Sequence, residues 1–176
     1  MSLQNEQDPL STGDAPVALR SPRLDDGGGM WRVARDSQTL DLNSSYSYLL
    51  FARDFAHSCR VAVQDDRVVG FVLGYRRPDD PTRLFVWQVA VDADQRGRGL
   101  SGRMLDDLVT AAGDDDPIRW VETTITDDNI ASQRLFASFA RRWNVGESVE
   151  PLFEADHFPD GHDPEPVHLI GPFMSA

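Results

Sequence analysis

Apolar positions recur at two periods along this chain, and the switches between them outline its elements. From Ser44 to Phe55, SSYSYLLFARDF places Tyr48, Phe51, Ala52 and Phe55 at i, i+3, i+4 and i+7, the spacing of one helical face. Asp41, Asn43 and Ser44 stand before it as residues able to cap its N-terminus. RVAVQDDRVVGFVLGYRR then changes to two β-rich runs split by Asp65-Asp66, which predicts a hairpin. TRLFVWQVAVD is apolar at nearly every position and predicts a strand buried on both faces.

Beyond this strand and a glycine-rich segment, helical spacing returns. Leu100, Met104, Leu105 and Leu108 share one face until GDDDP stops the helix. IRWVETTIT predicts a strand. DDNIASQRLFASFARRW predicts a helix with Asp127 or Asp128 at its cap and Ile130, Leu135, Phe136 and Phe139 turned inward. Two more strands, joined by a loop of Pro, Gly, Asp and His, close the chain.

Near the start, APVALRSP predicts a short strand, and Gly27-Gly28-Gly29 a break before a helix carrying Met30, Val33, Ala34 and Leu40. Residues 1–15 are polar without an apolar period and predict a flexible tail; residues 16–176 then form a single domain. The order of elements predicts an α/β protein of the α+β type, with a central mixed sheet of six to seven strands flanked by about four helices.

Composition narrows the partners. A chain of 176 residues with a formal charge of -12 repels nucleic acid and anionic membrane surfaces, so neither is expected as a partner. The single cysteine, Cys59, excludes an intrachain disulfide, and His57, His157, His162 and His168 show no ligand spacing, so no metal is expected. Without a signal-like start or a membrane-length apolar run, the expected location is the cytoplasm. Against the acidic background, Arg96, Arg98 and Arg103 crowd one short segment.

That segment, DADQRGRGLSGRML, fits two fingerprints. From Gly97 it matches G-x-G-x-x-G, the dinucleotide turn, which should begin almost directly after its strand and be followed about twenty residues on by an acidic residue ending the next strand. Here Asp92 to Arg96 intervene, Glu122 lies in mid-strand, and an antiparallel meander occupies the preceding half of the chain. From Arg96 it reads R-G-R-G-L-S, close to R/Q-x-x-G-x-G/A, the loop that cradles the pyrophosphate of acetyl-coenzyme A. Gly97, Gly99, Leu100, Ser101 and Gly102 offer backbone amides at a helix start, and Arg96 and Arg98 add positive charge. Cations at a helix N-terminus are mildly destabilising unless an anion binds, which favours the coenzyme A alternative over a plain glycine cap.

VAVDADQRGRGLSGRML resembles the coenzyme-binding segment of the GCN5-related (GNAT) N-acetyltransferases, and the order of elements fits that fold over about residues 16–172. Within that superfamily, LNSSYSYLL, VWQVAVD and ETTITDDNIAS are similar to the diaminobutyrate N-acetyltransferases of ectoine synthesis. The resemblance implies transfer of acetyl from acetyl-CoA to the γ-amine of L-2,4-diaminobutyrate by a homodimeric enzyme. Two departures stand out. Ser101 replaces the usual Gly or Ala at the end of the loop. Phe136 stands where the superfamily often has a tyrosine that returns a proton to the leaving thiolate.

The resemblance also implies site residues. Val89, Ala90 and Val91 would present backbone groups to pantetheine and the thioester, and Asn129 would meet pantetheine or simply start its helix. Glu122 is the expected acidic contact or base, because a charge in mid-strand is rarely idle, with Thr123 beside it as a ligand. Asp41, Asn43, Ser44 and Tyr46 would contact substrate, cap the helix or do both, and Trp87 would wall the pocket or join the core. Tyr46 or a water chain is the substitute proton donor. His162 and Glu165 are substrate contacts or turn residues. The same fold also serves N-acetyltransferases for other small amines and proteins that bind acyl-CoA without transferring it.

Overall fold

The structure is a computed structural model that describes residues 15–38, 40–113 and 116–174. The tail expected over residues 1–15 lies, but for its last residue, outside the described residues. The chain runs β1 (Ala18–Arg20), α1 (Gly27–Ser37), α2 (Ser45–Asp54), β2 (Arg60–Gln64), β3 (Arg67–Arg76) and β4 (Arg83–Val91). It continues through α3 (Leu100–Thr110), β5 (Trp120–Thr124), α4 (Ile130–Trp143), β6 (Gly146–Phe153) and β7 (Glu165–Gly171). All seven strands form one mixed sheet in the order β1-β2-β3-β4-β5-β7-β6.

The sheet is covered on both faces. Leu84, Val86, Val121 and Ile170 pack beneath Met104, Leu105 and Leu108 of α3 and Phe136 and Phe139 of α4. On the opposite face Val61, Phe71, Leu73 and Ala90 meet Met30, Val33 and Ala34 of α1 and Tyr48 and Ala52 of α2. The β2–β3 hairpin turns through Asp65 and Asp66, both at positive φ (50° and 59°), as a two-residue type I′ connection requires.

Three local expectations are corrected. The glycine triplet does not break the chain but forms the first turn of α1. A Cβ on Gly27 would come within 2.7 Å of Leu49, and one on Gly29 within 2.9 Å of Val68, so close packing rather than a turn explains these residues. The cap of α4 is Asn129, whose side chain accepts from the Ser132 amide at 3.1 Å, not Asp127 or Asp128. Ile130 and Phe55 face solvent, because each sits at an end of its helix beyond the edge of the core.

Two features of β4 create the site. It runs parallel to β5 and pairs with it only at Arg83↔Trp120, Leu84↔Val121 and Phe85↔Glu122. Beyond that rung β5 pairs with β7 alone, so Trp87 to Val91 border an open wedge. A bulge against β3 pairs Val86 with Gly74 and Gln88 with Leu73, skipping Trp87. A bulge reverses the facing of the residues that follow it. Val86 accordingly lies in the α3/α4 core, whereas Ala90 lies in the α1/α2 core.

Candidate active site

The strand before the arginine-rich loop is followed by Asp92, which is buried and held from three sides. Arg32 of α1 donates both terminal nitrogens to its carboxylate at 2.9 and 3.0 Å, Arg67 reaches it at 3.0 Å, and its amide donates to the Val69 carbonyl. One helical turn later, buried Gln95 donates to Gln64 and accepts from Arg98 at 2.9 Å. These contacts fix both ends of the short segment that aims the loop.

Gly97 and Gly99 then adopt left-handed conformations, φ 75° and 70°, where a side chain would be strained, and Gly99 caps α3. The first intrahelical bond runs from the Arg103 amide to the Gly99 carbonyl. The amides of Leu100, Ser101 and Gly102 precede it and so lack intrahelical acceptors. Leu100 buries its side chain in the core while its amide stays at the helix start. Gly102 has a second reason to be glycine, since a Cβ there would meet the Arg142 guanidinium at 3.0 Å.

A cavity of about 380 Å³ joins this helix start to the wedge. Val89, Ala90, Val91, Arg96, Ser101 and Asn129 all line it, so residues expected on three separate elements meet there. Asn129 both caps α4 and borders the cavity, which joins its two alternatives. Ser37 and Leu40 complete the α1 side, with Arg96 donating to the Ser37 carbonyl at 3.3 Å. A cleft of this shape, ending in free amides and an arginine, suits an elongated ligand with a terminal pyrophosphate.

On the α1/α2 face of the sheet a second cluster forms. His162 Nε2 lies 3.9 Å from the Asp41 carboxylate and 3.5 Å from that of Glu165. Its Nδ1 is 2.7 Å from the Asp163 carbonyl, and because a carbonyl only accepts, Nδ1 carries the hydrogen. That bond, first, and the neighbouring carboxylates together raise the His162 pKa above its ordinary value against the opposing effect of desolvation. Phe158 packs against the ring at 4.7 Å between centroids. Trp87, 39% exposed, stacks on Phe51 at 5.1 Å, and so lies at the surface rather than in the core.

Glu122 is buried, 4% exposed, and not idle. Arg83 donates to one of its oxygens at 2.7 Å and Arg77 to the other at 3.4 Å. Alternation along β5 puts Thr123 with Val121 on the α3/α4 face, away from the His162 cluster. Ser44 is the N-cap of α2, Asn43 donates to the Asp41 carbonyl at 3.3 Å, and Tyr46 is exposed on the first turn of α2. Phe136 is buried in the core.

Sequence reasoning passed over two polar groups. Tyr48, expected only as core, donates its hydroxyl to Gln88 Oε1 at 3.0 Å, and Gln88 Nε2 donates to the Asp41 carbonyl at 3.0 Å. The available signal was one glutamine within the apolar run LFVWQVAV.

Among the described residues, no group of three or more His, Cys, Asp or Glu could hold a metal ion, and no helix is long and apolar enough to cross a membrane. A second hollow, about 600 Å³, lies between Thr126–Asp128 and the β6–β7 pair and contains none of the loop residues.

Comparison with known proteins agrees with this geometry. The profile of the acetyltransferase (GNAT) family matches residues 29–140. An L-2,4-diaminobutyric acid acetyltransferase of Streptomyces avermitilis is 53% identical over 163 residues, covering 90% of this chain and 91% of the relative. One of Halomonas elongata is 40% identical, covering 92% and 84%. Among solved structures, the diaminobutyrate acetyltransferase EctA of Paenibacillus lautus, in complex with L-2,4-diaminobutyric acid and coenzyme A, superposes with a TM-score of 0.83 at 37% identity. That match covers 92% of this chain and 98% of the other. The chain belongs to the acetyltransferase (GNAT) family, and its relatives within that family are the L-2,4-diaminobutyric acid acetyltransferases.

Proposed function

We propose that the protein transfers the acetyl group of acetyl-CoA to the γ-amine of L-2,4-diaminobutyrate, giving N-γ-acetyl-diaminobutyrate for ectoine biosynthesis. The carrying observation is the junction of the two sites along β4. Val89 to Val91 line the coenzyme-shaped cleft, while the preceding Gln88 donates to the carbonyl of Asp41, whose carboxylate meets His162, and Trp87 stacks on Phe51 of α2. Carboxylates suit the two amino groups of the acceptor, and a protonated His162 suits its carboxylate. Kinship with enzymes of that name supports the same acceptor.

In this reading Arg96, Arg98 and the amides from Gly97 to Gly102 bind the pyrophosphate, and Asn129 and the open edge of β4 hold pantetheine. The acceptor amine, once deprotonated, attacks the thioester carbon, the C–S bond breaks, and the thiolate takes a proton. Backbone amides of β4 that β5 leaves unpaired face the wedge and stabilise the oxyanion. Glu122 serves the reacting centre by its charge, whereas Thr123 projects from the opposite face of β5 and takes no part there. Asp41, Asn43, Ser44, Trp87, His162 and Glu165 form the acceptor pocket. Tyr46 supplies the thiolate proton in place of Phe136.

The enzyme works in the cytoplasm as a homodimer. β6, one of the two edge strands, exposes Val149, Leu152 and Phe153, and this apolar patch is the surface on which a second copy would pack. A thiol-release assay with acetyl-CoA tests the function. Release with diaminobutyrate but not with ornithine, lysine or spermidine is expected. Release only with another amine reassigns the acceptor, and coenzyme binding without release with any amine overturns the enzyme reading.

A further inference from the structure

The Asp41 carboxylate has almost no packing of its own, since its side chain is 96% exposed. Its position is therefore set by its main chain, and two side chains hold that main chain by the carbonyl: Gln88 Nε2 at 3.0 Å and Asn43 Nδ2 at 3.3 Å. Asn43 lies on the same loop and also meets the Tyr48 hydroxyl of α2. Gln88 lies on β4.

The orientation of the Gln88 amide follows from its partners. The Asp41 carbonyl can only accept, so the group facing it is the NH₂, and the oxygen faces Tyr48. The Tyr48 hydroxyl must then donate. Tyr48 is fully buried, and burial raises its pKa, which keeps the hydroxyl protonated as this bond requires. Gln88 is 6% exposed, and an amide buried to that degree is costly unless both ends are bonded. Tyr48, Gln88 and Asp41 thus form one polar bridge from α2 through β4 to the loop between α1 and α2.

The bulge at Trp87 makes the bridge possible. A regular strand would send Gln88 to the α3/α4 face with Val86; the skipped residue turns it to the α1/α2 face. Gly74 stands opposite, where a Cβ would lie 2.6 Å from the Phe85 carbonyl. The next residues along β4, Val89 to Val91, line the coenzyme cleft. The loop that presents Asp41 is therefore gauged from the same strand that borders the thioester end of the cleft.

We propose that Gln88 is a positioning residue that measures the acceptor. By tying the Asp41 carbonyl to β4 it fixes the span between the carboxylate and the reacting carbon, and so selects the chain length of the diamino acid. The inference rests on the reading of the protein as a diaminobutyrate acetyltransferase. A displacement of about 1 Å at such a contact can cost on the order of 100-fold in rate.

The test compares Gln88→Met, Gln88→Glu and Tyr48→Phe with the unaltered protein. The acceptors are L-2,4-diaminobutyrate, L-ornithine (one methylene longer) and L-2,3-diaminopropionate (one shorter). Gln88→Glu is the informative variant: its carboxylate still accepts from Tyr48 but cannot donate to Asp41. For both Gln88 variants, kcat/KM for diaminobutyrate should fall roughly 30-fold or more, chiefly through KM. Its preference over ornithine should fall at least about fivefold, with KM for acetyl-CoA within about twofold of the original. Tyr48→Phe should shift the preference in the same direction by a smaller factor. An equal loss for every acceptor, or a lower Tm with unchanged preference, overturns the proposal. If the unaltered protein acetylates none of the three acceptors, the functional reading fails and takes the inference with it; an active protein whose preference does not move sinks Gln88 alone.

Discussion

Arg83 Nη1 lies 2.7 Å from Glu122 Oε1, and this contact runs diagonally from the first rung of the β4–β5 pairing to the last before the strands part. Arg77 holds the other oxygen, and Asp79 and Asp80 in turn pair with Arg77 and Arg83. Glu122→Gln keeps the shape but leaves two guanidinium groups facing a neutral amide. Breaking a buried pair costs about 3–5 kcal/mol, but both arginines are a third or more exposed, so about 1–3 kcal/mol is expected. That loss lowers Tm by roughly 3–10 °C. In kinetics, kcat/KM for diaminobutyrate should fall about tenfold or more; a change within about threefold, less than ~1 kcal/mol, removes Glu122 from the reacting centre.

The loop invites a different substitution. Gly99 sits at φ 70° with nothing within 4 Å of where a Cβ would stand, so alanine there is opposed by conformation alone. Left-handed backbone costs a non-glycine residue about 1–2 kcal/mol. Gly99→Ala should raise KM for acetyl-CoA about five- to thirtyfold while leaving KM for the acceptor within about twofold, as the strain shifts the first amides of α3. Arg96→Gln should raise the same constant and flatten its salt dependence, because one cation no longer meets the anion. An unchanged KM in both variants would place the pyrophosphate elsewhere.

Much of this layout was legible in the sequence because the periods were local. The i, i+3, i+4 spacing of Tyr48, Phe51 and Ala52 foretold α2, and Asp65-Asp66 foretold the hairpin turn. Misread elements depended on partners distant in sequence. Gly27 and Gly29 suggest a break until Leu49 and Val68 are seen against them. The bulge at Trp87 left no trace, since an apolar run has no phase to interrupt. Asp41 and His162 lie on two loops and Glu165 opens β7, and only the folded sheet brings them together, so resemblance rather than spacing singled them out.

Cys59 should be silent in the native protein. It is fully buried, its sulfur lies 3.4 Å from the Gly74 carbonyl, and burial pushes its pKa up to about 12. Only the thiolate reacts with disulfide reagents, and access is also closed. The folded protein should therefore release no colour with Ellman's reagent over the minutes of an assay, and one thiol per chain after denaturation. Rapid native labelling would contradict the burial. The same silence means that thiol appearing during turnover is free coenzyme A.

The charge on His162 gives the acceptor site its own pH dependence. With Nδ1 bonded to the Asp163 carbonyl, protonation changes at Nε2, which faces Glu165 and Asp41. The folded pKa is raised above 6.5, first by that bond and then by the carboxylates. The sign follows: the ionic contact is complete below 6.5 and is lost as pH rises through the raised folded value. If the imidazolium receives the acceptor's carboxylate, KM for diaminobutyrate should climb over that upper window while KM for acetyl-CoA stays level. NMR titration should place the His162 pKa above 6.5, and Glu165→Gln should lower it and move the rise in KM to lower pH by the same interval. A His162 that titrates as expected while KM stays flat would remove the imidazolium from the acceptor site and leave it as a link between two loops.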